Sequence, residues 1–263
     1  MDGISEDIIN NIKLHFKTET KEYESLKVTI ATPIVTPKND KPDLVVAAGF
    51  SNKSFIGSAS MIFKNINKLK NKFNKIIIID YDNYKKEQML ACQHRDEEEK
   101  KDPNNKIKIY QPENDLNDNM AKKFDNMIQK ELKLDNVHLL GKCAGGGIMI
   151  HLLCNDKTGI YNALYLAVPG NPFGVEKLLE LDGDRLKQIR FVFSWTKQDI
   201  LKFHWGIKSK DEKKRYDNTM KLIEKEKKIK LNYKSILENL PNTIPDEKLY
   251  HEINQKLIDN IVK

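Results

Sequence analysis

Apolar positions along the chain fall into a repeating strand–helix order. Ile12–Phe16 alternates, and Lys27–Val35 is β-branched and closes at Pro37, so both read as strands, with Pro33 confining the second to a sheet edge. Asp43–Ala48 is a short, continuous apolar run ending at Gly49, the pattern of a strand buried on both faces. Apolar residues then recur at helical spacing through Phe55, Ile56, Met61, Ile62, Ile66 and Leu69. Lys75–Asp80 holds four consecutive isoleucines and reads as a central strand. The charged stretch from Asp82 to Asn105 predicts a solvated helix and loop, Ile107–Tyr110 a further strand, and Asn117–Leu134 an amphipathic helix.

Beyond it the alternation becomes regular. Asn136–Leu140 predicts a strand running into a glycine-rich turn, and Ile148–Cys154 an apolar helix. Ala163–Val168 and Ile189–Trp195 read as strands, Asp211–Lys228 as a lysine-rich helix, Ile229–Tyr233 as a last strand, and Glu247–Lys263 as a terminal amphipathic helix. Strands alternating with helices imply an α/β fold: a mostly parallel central sheet with helices on both faces. The chain contains no internal repeat and no linker, so residues 1–263 read as a single domain. The short connection between Val168 and Ile189 leaves no room for a large cap domain.

Composition adjusts this picture in three ways. Apolar content of 39% against 32% charged still fills a core, provided the charge lies in loops and on outer helix faces. The net charge of +7 raises nucleic acid as a partner, but only four basic residues are Arg (95, 185, 190 and 215), the type suited to bidentate phosphate contacts. The lysine excess therefore reads as solvated faces, and nucleic-acid binding is not expected. Cys92, Cys143 and Cys154 form no framework spacing, which argues for reduced thiols. With no leader-like apolar run after Met1 and no membrane-length apolar stretch, the expected setting is cytoplasmic, with no membrane partner.

The chemistry concentrates at Gly141-Lys142-Cys143-Ala144-Gly145, a Gly-x-nucleophile-x-Gly sequence between a predicted strand and helix. Small flanking residues permit a sharp turn there. A cysteine at a helix N-terminus has its thiol pKa lowered by the helix dipole. Lys142 beside it could bias the thiolate or attract an anionic substrate.

On these residues the chain resembles the α/β-hydrolase superfamily, and its dienelactone-hydrolase-like members in particular, which carry Gly-x-Cys-x-Gly-Gly. Polyhydroxyalkanoate synthases have a similar cysteine elbow but are much longer. The resemblance implies the order nucleophile, acid, histidine. Asp199, four residues beyond the strand Phe191–Trp195, fills the acid position, with Asp182, Asp184 and Asp211 as alternatives. His251, near the start of the terminal helix, fills the histidine position, and His204 comes too soon after the acid. The oxyanion hole would take the backbone N–H of Ala144 and of Phe50, with Gly49, Ser51 and Lys142 lining the substrate site.

The implied activity is cysteine-dependent hydrolysis of a small-molecule carboxylic ester, lactone or thioester, through a Cys143–His251–Asp199 triad and a covalent acyl-enzyme. Acyl transfer by the same triad and a non-catalytic binding protein are the alternatives. The resemblance implies no cofactor and no metal: His151 and Cys154, three apart on one helix, read as core, and His138 as a satisfied core or edge histidine. Two departures from the pattern stand out. Gly49-Phe50 replaces a His-Gly pair at the oxyanion loop, and the acid that some dienelactone hydrolases set against the cysteine has only Glu19, Glu22 and Glu24 as positional candidates. The sequence does not fix the oligomeric state.

Overall fold

A computed structural model of the chain describes residues 6–35, 40–47, 61–62, 64–102, 106–169, 177–194 and 247–263. Seven strands form one sheet: β1 (Phe16–Tyr23), β2 (Leu26–Pro33), β3 (Asp43–Ala47), β4 (Ile76–Asp80), β5 (Val137–Cys143), β6 (Tyr161–Pro169) and β7 (Arg190–Ser194). Their order across the sheet is β1-β2-β4-β3-β5-β6-β7. β1–β2 and β2–β4 pair antiparallel, and every pair from β4 to β7 is parallel. The helices are α1 (Glu6–His15), α2 (Ile66–Leu69), α3 (Asp82–Lys101), α4 (Lys106–Asn126, prolonged by a π-helical turn Met127–Glu131), α5 (Ala144–Cys154), α6 (Gly183–Gln188) and α7 (Glu247–Val262). The expected α/β architecture is present. The helix predicted at Asp211–Lys228 and the strand at Ile229–Tyr233 lie outside the described residues.

Two cores cover the two faces, and strand alternation sorts residues between them. Val45, Ala47, Ile77, Ile79 and Leu139 face Phe124 of α4 and Ile148 of α5. Leu44, Val46, Ile76, Ile78 and Leu140 face Ile12 of α1, Ile66 of α2, and Leu257, Ile258 and Ile261 of α7. The four isoleucines of β4 divide evenly between the two cores. That is why a central strand is apolar at every position rather than at alternate ones.

Three expectations need correction. Ile12–Phe16 is the end of α1 and the first residue of β1; Ile12 and Phe16 are buried while Leu14 points to solvent. β2 is not an edge: it lies between β1 and β4, and Pro33 is tolerated because the β4 ladder spans only Lys27–Ala31. The true edge strand on that side is β1, Phe-Lys-Thr-Glu-Thr-Lys-Glu-Tyr, whose polar outer face suits an edge. Ile107–Tyr110 opens α4 instead of forming a strand, and Pro112 sits inside that helix. Among the described residues no helix is long and apolar enough to cross a membrane.

α5 packs on β5 and β6 at unusually short range because its partners are glycines. A Cβ on Gly141 would meet Gly146 Cα at 2.6 Å and Gly145 O at 2.7 Å, both backbone atoms that cannot swing away. A Cβ on Gly147 would meet the Asn117 amide of α4 at 2.7 Å, and Asn117 is itself buried and accepts the Tyr84 hydroxyl. Gly141→Ala should therefore cost about 1–3 kcal/mol by overpacking. Gly147→Ala should cost less, because Ala in a helix regains about 1 kcal/mol over Gly. Urea unfolding of the two variants would check the ranking, and equal stability of Gly141→Ala and wild type would contradict the close approach.

Two buried ionisable groups at the N-terminal end of the sheet give opposing pH responses. Burial raises the Asp43 carboxyl on β3 to about 6, with Lys75 pulling the other way, and its Oδ1 has no hydrogen-bond partner. Burial, with help from Arg190, lowers His138 on β5 to about 4; its Nδ1 pairs with the Tyr165 hydroxyl at 2.8 Å. Asp43 thus contributes stability that is fully present below its ordinary 3.8 and lost as pH rises through about 6. The His138 contribution is present above its ordinary 6.5 and lost as pH falls through about 4. Each is worth up to about 3 kcal/mol over its full window, so in the wild type they largely offset. Asp43→Asn should become more acid-sensitive than wild type between pH 7 and 4.5, and His138→Phe less so, read as the change in urea midpoint with pH. Identical slopes in all three proteins would refute the assignment.

Candidate active site

β5 delivers Cys143 to the C-terminal edge of the sheet, where α5 begins. The residue adopts φ 52°, ψ −122° and is the N-cap of the 11-residue α5. These angles are those of the first corner of a type II′ turn, a conformation that glycine takes at no cost and a Cβ makes expensive. A non-glycine residue held there stores strain of order 1–3 kcal/mol. Glu24 and Lys133 also have positive φ, but Glu24 lies in the β1–β2 turn and Lys133 in the loop before β5. Cys143 alone of the three joins a strand directly to a helix, and the Gly141–Gly146 contact fixes the angle between them.

The setting of Cys143 differs from that of the other two thiols. Burial pushes Cys92 and Cys154 up to about 12, aided at Cys92 by the facing Glu113 carboxylate. Cys92 donates to Glu113 Oε1 at 3.2 Å, and Cys154 to the Lys177 carbonyl at 3.4 Å. At both, the thiolate form is disfavoured. Cys143 is partly exposed and sits at a helix N-terminus, where its side chain makes no capping hydrogen bond.

Three neighbours complete what the structure brings together. Ala144 is the first residue of α5, so its backbone N–H has no intrahelical acceptor. Lys142 is half-buried; burial lowers its ammonium pKa, and the Cys143 thiolate acts in the opposite sense. Tyr81, directly after β4, is fully buried. Burial pushes its phenol well up, and Tyr84, Cys143 and Asp80 add to the shift. Sequence reasoning passed over Tyr81. Its signal was its place immediately beyond a central strand, at the edge where parallel sheets hold their sites.

The remaining expectations divide. Asp199, His204, Asp211, Gly49, Phe50 and Ser51 lie outside the described residues. His251 is in the first turns of α7, with its backbone described. The alternative acids are set aside by their places. Asp182 caps α6 by accepting the N–H groups of Asp184 and Arg185, and Asp184 follows it in that cap, both before β7 begins. Glu19 and Glu22 lie on β1 and Glu24 just after it, four inter-strand steps from β5, or about 19 Å. They do not face Cys143.

His138 is a packed core residue, edge-on to Phe73 and Tyr165. His151 is buried, 3.5 Å from Asp118. Among the described residues no group of three or more His, Cys, Asp or Glu could hold a metal ion. A groove of about 380 Å³ between the β1–β2 turn and the end of α4 is lined by Glu22, Glu24, Tyr23, Leu26 and Met127, and by none of Lys142, Cys143 and Ala144.

No sequence-family profile matches the chain, and no curated protein matches it. Solved structures match its shape over nearly its full length. Enterobactin hydrolase IroE in complex with DFP is 14% identical, with a TM-score of 0.56 over 95% of this chain and 96% of that one. A CIB-like hydrolase from Thermoplasma acidophilum is 11% identical, with a TM-score of 0.51 over 94% and 98%. S-formylglutathione hydrolase FrmB from Staphylococcus aureus is 13% identical, with a TM-score of 0.50 over 94% and 96%. With its mostly parallel seven-stranded sheet and its helices on both faces, the chain has the α/β-hydrolase fold.

Proposed function

We propose that the chain is a cysteine-dependent hydrolase of a carboxylic ester, lactone or thioester, of dienelactone-hydrolase-like type, acting through Cys143, His251 and Asp199. The observation that carries this reading is the strained backbone of Cys143 at the strand–helix elbow. Strain of this kind persists where it exposes a reacting atom, and a merely structural cysteine has no need of it. The neighbours named as hydrolases share the fold on which such an elbow is built.

The path of α7 supports the part given to His251. Arg190, at the start of β7, donates to the carbonyls of Asn260 at 2.5 Å and Ile261 at 3.2 Å, which pins the end of α7 at the N-terminal side of the sheet. From Ile261 back to His251 the helix rises about 15 Å. The four steps from Arg190 to Ser194 span about 13 Å. The backbone at His251 therefore reaches the height of the sheet edge that holds Cys143.

In this mechanism His251 takes the Cys143 proton and the sulfur attacks the acyl carbon. The backbone N–H groups of Ala144 and Phe50 hold the oxyanion. His251 passes its proton to the departing alkoxide or thiolate, leaving a thioester on Cys143. Asp199 keeps the imidazole in the required tautomer and stabilises the imidazolium. A water that gives its proton to His251 then attacks the thioester. The acid leaves, and the proton returns to sulfur. The net reaction consumes one water and yields an acid and an alcohol or thiol.

Two outcomes follow. Cys143→Ala should lose on the order of 10³ or more in kcat/KM on 4-nitrophenyl acetate, and rapid-quench mass spectrometry of the wild type should find one acetyl group on Cys143. Retained activity in Cys143→Ala would end the nucleophile assignment. Separately, iodoacetamide should alkylate Cys143 well below pH 7 and faster than Cys92 or Cys154, and His251→Ala should slow it about tenfold. Labelling indifferent to His251 would remove that residue from the triad.

A further inference from the structure

Among the described residues β1 is the outermost strand on its side of the sheet, and Lys17, Glu19, Thr20, Lys21 and Glu22 along it are exposed. Which of its backbone groups face outward follows from the hairpin to β2. Tyr23 pairs with Leu26 across a two-residue turn, with Glu24 at φ 53°. A pair flanking such a turn exchanges both backbone hydrogen bonds, and bonded and non-bonded pairs then alternate along the ladder. Lys17, Glu19, Lys21 and Tyr23 thus turn their N–H and C=O groups toward β2. Thr18, Thr20 and Glu22 turn theirs outward, away from the sheet.

Such a row of backbone groups accepts a further strand, and charge on an edge ordinarily prevents this. The charges of β1 prevent it selectively. A closed two-fold dimer sets the edge antiparallel to itself. With Thr20 opposite Thr20 of the partner subunit, Thr18 stands opposite the partner's Glu22, so all three outward residues find hydrogen-bonding partners. On the other face of the sheet Glu19 then stands opposite the partner's Lys21, and Lys21 opposite the partner's Glu19. These two residues already pair within one chain at 3.1 Å, so four alternating charges meet at the seam. A shift of two residues, the smallest that keeps the bonding pattern, sets Glu19 against Glu19 or Lys21 against Lys21, which is unfavourable. A shift of four either sets Glu22 against Glu22 or runs residues 21–23 past the end of the partner's β1. Apolar surface adds to the seam. Leu14, Ile34 and Val35 are exposed, and the Ile34 N–H donates to the His15 carbonyl beside the start of β1. In the Thr20 register the partner's β1–β2 turn comes level with this end of the strand.

We propose that two copies of this chain join through β1, antiparallel about Thr20, into one continuous sheet. β1 and β4 both run antiparallel to β2, so β1 runs in the direction of the parallel strands. Those strands point in opposite directions in the two copies, and the two Cys143 elbows therefore open at opposite ends of the joined sheet. Each elbow lies four strand steps from the seam. Dimerisation of this kind stands whether or not Cys143 is a nucleophile.

Sedimentation equilibrium of the full chain should show the mass rising from one chain toward two between about 1 and 100 µM. Glu19→Lys sets like charges against each other twice in the dimer, and so does Lys21→Glu. Each should weaken association about tenfold. The double variant Glu19→Lys/Lys21→Glu should recover it. Mixing the two single variants separates contact across the seam from the ion pair within one chain. Neither single variant keeps its internal pair, yet a mixed dimer sets opposite charges together at both positions, so the mass should rise on mixing. Thr20→Pro removes the central outward N–H without taking a hydrogen bond from β2, and it should stay a single chain, with a urea transition showing that it is folded. A wild type that remains a single chain at about 100 µM would overturn the proposal. A dimer indifferent to Glu19→Lys, Lys21→Glu and Thr20→Pro would lie on another surface and overturn it equally. Failure of both the double variant and the mixture to recover the dimer would rule out the register about Thr20.

Discussion

The contact between Gly141 and the Gly145–Gly146 backbone governs the geometry of the candidate site. A side chain at position 141 would hold α5 off β5, and the chain could then leave the strand by an ordinary loop. Its absence lets the helix axis start almost on the strand end. The single residue between them must absorb the change of direction, and it does so at φ 52°, ψ −122°. Asn117, wedged under Gly147 and joined to Tyr84, holds the helix down from the other side. Strain at Cys143 is thus set by packing that involves no catalytic group.

The remainder of the fold keeps the two ends of the sheet distinct. At the N-terminal end, Asp156 and Arg190 are structural groups satisfied locally. Asp156 accepts the backbone N–H groups of Thr158 and Gly159 and the Arg185 guanidinium, which also donates to the Tyr161 carbonyl. Arg190 does the same for the last turn of α7. At the C-terminal end stand Cys143, Lys142 and Tyr81. Parallel strands produce this asymmetry because each one begins and ends on the same side as its neighbours.

How much of this was legible in the sequence depended on how strongly each segment is buried. β3, β4 and β5 lie in the centre of the sheet and each carries a continuous apolar run, and each was read close to its true bounds. β1 was missed because an edge strand with a solvated face carries no apolar run. α1 and the start of α4 were read as strands because Ile12–Phe16 and Ile107–Tyr110 alternate over five residues or fewer, too short to separate period 2 from period 3.6. The elbow was readable because its glycines are a steric requirement, and such requirements leave fixed letters. Tyr81 was not readable, because its surroundings depend on which residues meet across strands that are distant in sequence.

The three cysteines make the same point about chemistry. Cys92 sits inside α3 and Cys154 is the last residue of α5, where packing removes water and no positive end of a dipole compensates, so their thiols rise to about 12. Cys143 precedes a helix, is partly exposed, and has an ammonium beside it. Residue type is constant across the three, so the difference in their surroundings follows from where the backbone places each thiol.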